Sequence, residues 1–296
     1  MRLGVAFWDG VSLDDPQKTV DRLGTIGVRG AWLNAVEEGW SPDRIEGTRK
    51  AFDEAGIFVG AVASLHFGMA TNPDEEVQRR GIEATRRCIA DSVALGAHCI
   101  SVHWRQNGAA GDWWSEDCWK RLVRNTAVVA GEAERLGIDL GFHSFKLCPW
   151  DTPEQHRRLA DEVASPRVKV LIDVVNMIDH RGVYDSTDYL NRTFDRIGDL
   201  VVGAHAKDVT IEPQHWTLRI DEVPPGAGML DHDTFLRRLS ELDPDLVLTI
   251  EHLRDVGVAG TTAIPNYVYY PDTHREIIRA REFLQSVAGR IGIPLE

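Results

Sequence analysis

The sequence is poor in the features that mark secreted, membrane-spanning or nucleic-acid-binding chains. It has four cysteines, Cys88, Cys99, Cys118 and Cys148, with no C-x-x-C pair among them. Cys88 and Cys99 fall in a predicted helix and a predicted strand, where a free thiol packs as a small hydrophobe. This fits a reducing, cytoplasmic setting. No run stays apolar for the roughly 18 residues that a membrane span needs. Met1 and Arg2 lead directly into the strand-like LGVAFW, which predicts a chain with no signal peptide to remove. Basic residues are also scarce: 33 Lys and Arg stand against 46 Asp and Glu, a net charge of −13. A surface of that sign repels nucleic-acid phosphates and anionic lipid, and leaves a small neutral substrate acceptable. There is no low-complexity tract, no linker and no boundary for a second domain.

What is present is a repeat of short β-branched runs and long amphipathic segments. Strands are predicted over Leu3–Trp8, Gly30–Ala35, Phe58–Leu65, Cys99–Trp104, Asp139–Phe145, Val168–Asn176, Val201–Asp208 and Leu246–Leu253. Helices are predicted over Pro16–Ile26, Pro42–Ala55, Pro73–Leu95, Glu116–Leu136, Pro153–Val163, Thr187–Ile197, Asp231–Glu241 and Thr273–Val287. Ser41-Pro42, Asn72-Pro73 and Thr152-Pro153 each offer a capping side chain ahead of a first-turn proline. Gly27, Gly56, Gly96 and Gly137 sit where left-handed helix ends are wanted. Strict β-α alternation implies a parallel sheet, and eight units in 296 residues favour closure into a (β/α)8 barrel forming one domain over residues 1–296. An open doubly wound sheet would normally carry a glycine-rich dinucleotide loop after the first strand. Trp8-Asp9-Gly10 is not one.

The inward face of a barrel strand is normally apolar. Four consecutive strands break that rule near their C-terminal ends: DLGFHSF carries His143, VKVLIDVVN carries Asp173, VVGAHAKD carries His205 and LVLTIEHL carries Glu251. Gly141, Leu171, Gly203 and Thr249 lie two residues before them, small or apolar as a layer beneath a site should be. Taken singly, each polar residue has an ordinary explanation: a hydrogen-bonded core histidine, a structural acceptor, or Glu251 paired with Arg254. Together, two imidazoles and two carboxylates resolve the cost of buried charge by sharing one divalent cation. The donor set suits Mn, Co, Zn or Fe, or Mg with water completing its shell. His66, His103, Asn176, His180 and Arg254 fall where they could line the same mouth. Lys207 shares the parity of His205 and could reach a substrate oxygen, or could pair with Asp208. Trp8, Trp104, Trp113, Trp114, Trp150 and Trp216 lie at strand ends or in the loops that follow. Any one of them is more often a packing residue, but a mouth so rich in indole suits a sugar ring or an aromatic aglycone.

With LIDVVN, GAHAKD, PPGAGMLDHDTFLRRL and LTIEH in view, the chain resembles the xylose isomerase-like superfamily, in its sugar phosphate isomerase/epimerase branch. NPDEEVQRRGIEATRRCIADSVALGA looks like that family's long helix before the fourth strand. The resemblance covers nearly the whole chain. It implies a Mn, Co, Mg or Zn site built from strand-five Glu, strand-six Asp, strand-seven His and strand-eight Glu. Asp173, His205 and Glu251 match the last three. At strand five stands His143, or Phe142 with His143 shifted by one, and Asn176 stands where many relatives have His. The family chemistry is proton abstraction next to a metal-polarised carbonyl, shared between two carboxylates. Glu251 alone is retained here, so His143 is open to being either the missing base or the fourth ligand.

The resemblance implies isomerisation or epimerisation of a keto-sugar or polyol. An alternative is a lyase with the same first step, as in inosose dehydratases or C-glycoside deglycosidases. The latter would bring a small partner subunit, and a homo-oligomer is the other assembly open to such barrels. Endonuclease IV-like relatives need a three-zinc cluster and a basic face, which the charge argues against. A non-catalytic sugar-binding barrel is the remaining alternative. No arginine cluster calls for a phosphate, so a non-phosphorylated substrate is expected.

Overall fold

The computed structural model describes residues 1–6, 13–104, 111–146, 148–212, 219–251, 254–255, 269–270 and 273–296. Eight parallel strands close into a barrel. They are β1 (Arg2–Val5), β2 (Gly30–Asn34), β3 (Phe58–Ser64), β4 (Cys99–Val102), β5 (Asp139–His143), β6 (Val168–Ile172), β7 (Val201–Ala206) and, after a short hairpin, β10 (Val247–Ile250). Each pairs with its sequence neighbour, and β10 closes the ring against both β7 and β1. The hairpin, β8 (Asp208–Glu212) with β9 (Arg219–Val223), rises directly from the end of β7. Two further short strands, β11 (Arg254–Asp255) and β12 (Tyr269–Tyr270), pair with each other.

The helices follow the expected alternation: α1 (Pro16–Ile26), α2 (Pro42–Ala55), α3 (Glu75–Ala94), α4 (Glu116–Leu136), α5 (Pro153–Val163), α6 (Val174–Met177), α7 (His180–Tyr184), α8 (Ser186–Ile197), α9 (His232–Leu242) and α10 (Thr273–Ile291). Their punctuation matches the reading from sequence in most places. Gly27, Gly56 and Gly137 end α1, α2 and α4 in left-handed conformation, and Thr152 caps α5 by accepting from the Gln155 N–H. Two caps differ. Ser41 makes no side-chain cap bond. The helix expected to start at Pro73 starts at Glu75, because Asp74 accepts from the Glu76 and Val77 N–H groups while Asn72 turns back to accept from Asp74.

Strand parity divides the core in two. Residues facing outward, among them Leu3, Val5, Leu33, Val62, Ile100, Phe142, Val170 and Leu248, pack under the helices in the larger cluster. The barrel interior is a separate, smaller cluster of Ala6, Trp32, Ala61, Ala63, Leu65, Cys99 and Leu171. Its side chains are mostly small, which leaves room for one fully buried indole, Trp32. Gly141 belongs to this inner layer, and a Cβ there would lie 2.9 Å from Leu171 Cβ, so the wall beneath His143 admits no side chain. No helix among the described residues is long and apolar enough to cross a membrane.

Candidate metal centre

The ends of β5, β6, β7 and β10 are neighbours in the barrel, and each delivers one ionisable side chain inward. His143 is the last residue of β5, and His205 is the fifth of the six in β7. Asp173 directly follows β6, and Glu251 directly follows β10. All four are buried, exposed by no more than 2%. One potential ligand atom from each falls within 4.8 Å of all the others. Asp173 Oδ2 lies 3.1 Å from His143 Nε2 and 3.9 Å from His205 Nδ1. Glu251 Oε2 lies 3.7 Å from His143 Nε2 and contacts His205 Nδ1. Two imidazoles and two carboxylates converging in this way fit a divalent ion of borderline hardness.

Local structure fixes each donor. The sequence reading carried β6 on to Asn176, but the strand ends at Ile172 and Asp173 becomes the cap of α6. Its Oδ1 accepts the Asn176 N–H at 3.0 Å, leaving Oδ2 for the cluster. His143 faces the interior and Phe142 faces the helices, packed between Phe67 and Trp150, which decides between the two alignments of strand five. Trp150 donates its indole N–H to the His143 carbonyl at 3.0 Å, and Asn176 Nδ2 donates to the Ser144 carbonyl at 2.9 Å. Both ring nitrogens of His143 are engaged, since Nδ1 lies 3.3 Å from His103 Nδ1. Burial and the neighbouring His205 push the His143 imidazolium down to about 4, against the pull of Glu251 and Asp173, so the ring is neutral near pH 7. Trp32 supports the cluster from below, with its edge on His205 at 4.7 Å and on His103 at 5.8 Å between ring centres.

Lys207 occupies the centre of the charge distribution. It is 1% exposed, with Nζ 2.8 Å from Asp173 Oδ2, 3.1 Å from Glu251 Oε2, 3.2 Å from Glu222 Oε2 and 3.0 Å from Asn176 Oδ1. Burial opposes its charge, but Asp173, Glu222 and Glu251 together outweigh burial and hold the ammonium above the ordinary lysine value. Asp173 answers in kind: burial alone would raise it, and Lys207 and His143 bring it below the usual carboxylate range. The pairing of Lys207 with Asp208 raised from sequence is not found. Asp208 turns away and accepts the N–H groups of Val209, Gly226, Gly228 and Leu230, and its carboxylate lies 3.1 Å from His232 Nε2.

The other expected mouth residues divide. His103 and Asn176 join the cluster's surroundings. His66 is half-buried just before the 3-10 turn Phe67–Thr71. Trp104 and Trp150 are buried and pack edge to face at 5.4 Å, while Trp114 is 61% exposed. His180 is exposed at the start of α7. Arg254 lies in β11 with its side chain outside the described residues, as are Trp8 and Trp216. Two residues of the site were not anticipated. Trp32 gave no signal beyond strand parity. Glu222 arrives on a hairpin whose alternation, DVTIE and then RIDEV, is legible in the sequence.

Solved structures share the architecture throughout. An L-ribulose 3-epimerase superimposes with a TM-score of 0.74 at 17% identity, covering 98% of this chain and 95% of that one. A 3-keto-D-glucoside 4-epimerase from E. coli gives 0.71 at 15% identity, covering 97% and 99%. A xylose isomerase-like TIM barrel protein from Mycobacterium smegmatis, in complex with magnesium, gives 0.70 at 14% identity, covering 96% and 91%. No curated protein is found to match the sequence. At these identities the structures speak for the fold. The model of one sequence family, described as xylose isomerase-like TIM barrel, matches residues 21–286, and the chain belongs to that family.

Proposed function

We propose that the chain is a divalent-metal-dependent isomerase or epimerase that removes a proton next to the carbonyl of an uncharged keto-sugar or polyol. The observation that carries this reading is the buried convergence of His143, Asp173, His205 and Glu251 at the C-terminal mouth of the barrel, where barrel enzymes place their chemistry. Two of the similar structures are sugar epimerases and a third holds magnesium, which supports the same reading. The donor set suits Mn first, with Co, Fe, Zn and Mg as the other candidates. Bound there, the ion supplies the Lewis acidity that makes a C–H beside a carbonyl removable.

The roles of the chain's own residues follow from their placement. His143 has one ring nitrogen on the carboxylates and the other on His103, so it acts as a ligand rather than as a base. Proton removal then falls to Glu251, the one carboxylate of the four that is not also a helix cap. Lys207 presents a permanently charged ammonium that stabilises negative charge growing on a substrate oxygen. The proton that Glu251 takes from one carbon and returns to its neighbour gives an isomer. Delivery of a different proton to the same carbon from the opposite face, by a second acid, gives an epimer and leaves the first proton on Glu251. Loss of a leaving group after the same first step would instead make the enzyme a lyase. A histidine in place of the strand-five carboxylate favours keeping that second reading, because elimination needs only one base.

Incubation of the Mn-loaded protein in D2O with neutral ketohexoses and 3-oxo-glucosides tests the reading. Solvent deuterium should enter at the carbon beside the carbonyl, in a product of otherwise unchanged mass, and Glu251→Gln should abolish it. Loss of water or of an aglycone would establish the lyase. Metal binding with no exchange on any of these sugars would leave a sugar-binding barrel.

A further inference from the structure

Among carboxylates, Lys207 Nζ makes its closest contacts with Asp173 Oδ2 at 2.8 Å and Glu251 Oε2 at 3.1 Å. Those are the same two oxygens that face His143 Nε2 and His205 Nδ1. The cluster's carboxylates therefore offer one set of lone pairs to two cations, the protein's own ammonium and a divalent ion. A divalent ion held by those oxygens would repel an ammonium on the same oxygens strongly, because the site is buried. Nζ also has acceptors outside the four-residue cluster: Asn176 Oδ1 at 3.0 Å and Glu222 Oε2 at 3.2 Å. Glu222 differs from the cluster residues in being part-exposed, at 29%, and in coming from β9 of the hairpin rather than from the barrel.

We propose that Lys207 is a built-in counter-ion which a divalent ion displaces from Asp173 and Glu251, and that Glu222 with Asn176 forms the seat to which its ammonium withdraws. This rests on the divalent-ion reading of the four-residue cluster. Without the ion, Lys207 neutralises carboxylates that would otherwise lie buried against each other, so the mouth stays assembled. With the ion, the ammonium moves outward to the hairpin side, where a substrate oxygen can meet it. Glu222 is then a positioning residue: it acts on the ion and the substrate through Lys207. The hairpin that carries it sets metal affinity although none of its described residues belongs to the four-residue cluster.

The test is a double-mutant cycle on Mn affinity, measured by chelator competition on the full-length protein stripped with EDTA. Lys207→Met should bind Mn about tenfold more tightly than wild type, and Glu222→Gln about tenfold more weakly, the scale of outer-shell changes at metal sites. In the Lys207→Met background, Glu222→Gln should change affinity by less than about twofold, because there is no ammonium left to seat. The proposal is overturned if Lys207→Met binds Mn no more tightly than wild type. It is equally overturned if Glu222→Gln weakens binding by the same factor in both backgrounds, which would mean that Glu222 acts on the ion directly. Should Lys207→Met not fold, Glu222→Gln decides alone, and unchanged affinity in it refutes the proposal. If neither wild type nor Lys207→Met binds Mn, Co, Zn or Mg, the divalent-ion reading itself fails. Metal bound by wild type with an affinity that neither substitution alters refutes only the role of Lys207 and Glu222.

Discussion

Replacing Asp173 with asparagine changes one charge and almost no volume, so its consequences can be worked out contact by contact. Oδ1 would still accept the Asn176 N–H and the cap of α6 would survive. At the Oδ2 position an amide NH2 would face the Lys207 ammonium, 2.8 Å away in the wild type, and His143 Nε2, 3.1 Å away. Removing one partner from a buried ion pair costs about 3–5 kcal/mol. Lys207 keeps Glu251 and Glu222, so the lower end applies, about 3 kcal/mol in the metal-free protein. The effect on metal should be larger than the roughly 10–100-fold that outer-shell substitutions cause, since a charged donor is lost outright. The assay is urea unfolding with EDTA and again with excess Mn. Wild type should gain about 4 kcal/mol at a metal concentration 1,000 times its dissociation constant, and Asp173→Asn should gain almost nothing. Asp173→Asn stabilised by Mn as much as wild type would refute the placement of the ion between these four side chains.

Other expected outcomes follow from the same geometry. His156 is fully buried against Ser144, and burial, with the charge of His143, pushes its imidazolium down to about 3. Because the folded-state value lies below the unfolded one, the unfolded chain binds the extra proton first. Stability present above pH 6.5 is therefore lost as pH falls, by about 2 kcal/mol at pH 5. Denaturation at pH 7 and pH 5 should show a smaller difference in His156→Gln than in wild type; an equal difference would count against this origin. Gly228→Ala places a Cβ against Asp208 Oδ1 and the Val209 carbonyl and should destabilise by about 2 kcal/mol in urea unfolding. Burial raises the Cys88, Cys99 and Cys148 thiols to about 12, so native protein should react with a thiol reagent far more slowly than protein unfolded in guanidinium. Trp32→Ala empties the barrel floor and should cost about 3–5 kcal/mol. A loss under 1 kcal/mol would show that the indole is not the packing element described here.

Most of the barrel was legible because its signals are local. Proline and glycine mark the helix ends, and β-branched runs mark the strands. The ionisable residues at the ends of β5, β6, β7 and β10 could be grouped from parity alone, since one inward face forces them together. Local signals failed where a side chain overrides propensity. Val174 and Val175 read as strand, yet Asp173 caps the chain into α6 and ends β6. The hairpin was missed because its alternating arms are short and follow β7 without a break, and Glu222 was missed with it. The contacts of Lys207 were not readable at all. Parity placed it inward, but Asp173, Glu251 and Glu222 stand on three other elements, and only tertiary structure brings their oxygens to one ammonium.

The inner layer of the barrel differs between the two halves of the mouth. On the β5–β6–β7–β10 side, Gly141, Leu171, Gly203 and Thr249 lie beneath the ionisable residues; beneath His143 and His205 the layer is glycine backbone, with no side chain able to change rotamer. On the opposite side, Ala61, Ala63 and Cys99 make a smooth wall, and the indole of Trp32 fills the space between the halves. Trp32 meets His205 and His103 edge-on, so neither imidazole can tilt toward the barrel floor without displacing the largest side chain inside it. His205 is therefore held by packing before any ion arrives, which lowers the ordering cost of metal binding at that position. What remains adjustable lies above the donors: one lysine, one asparagine and one glutamate from a hairpin. On the proposed reading of the cluster, metal affinity can then change through the hairpin while the donor set below stays fixed.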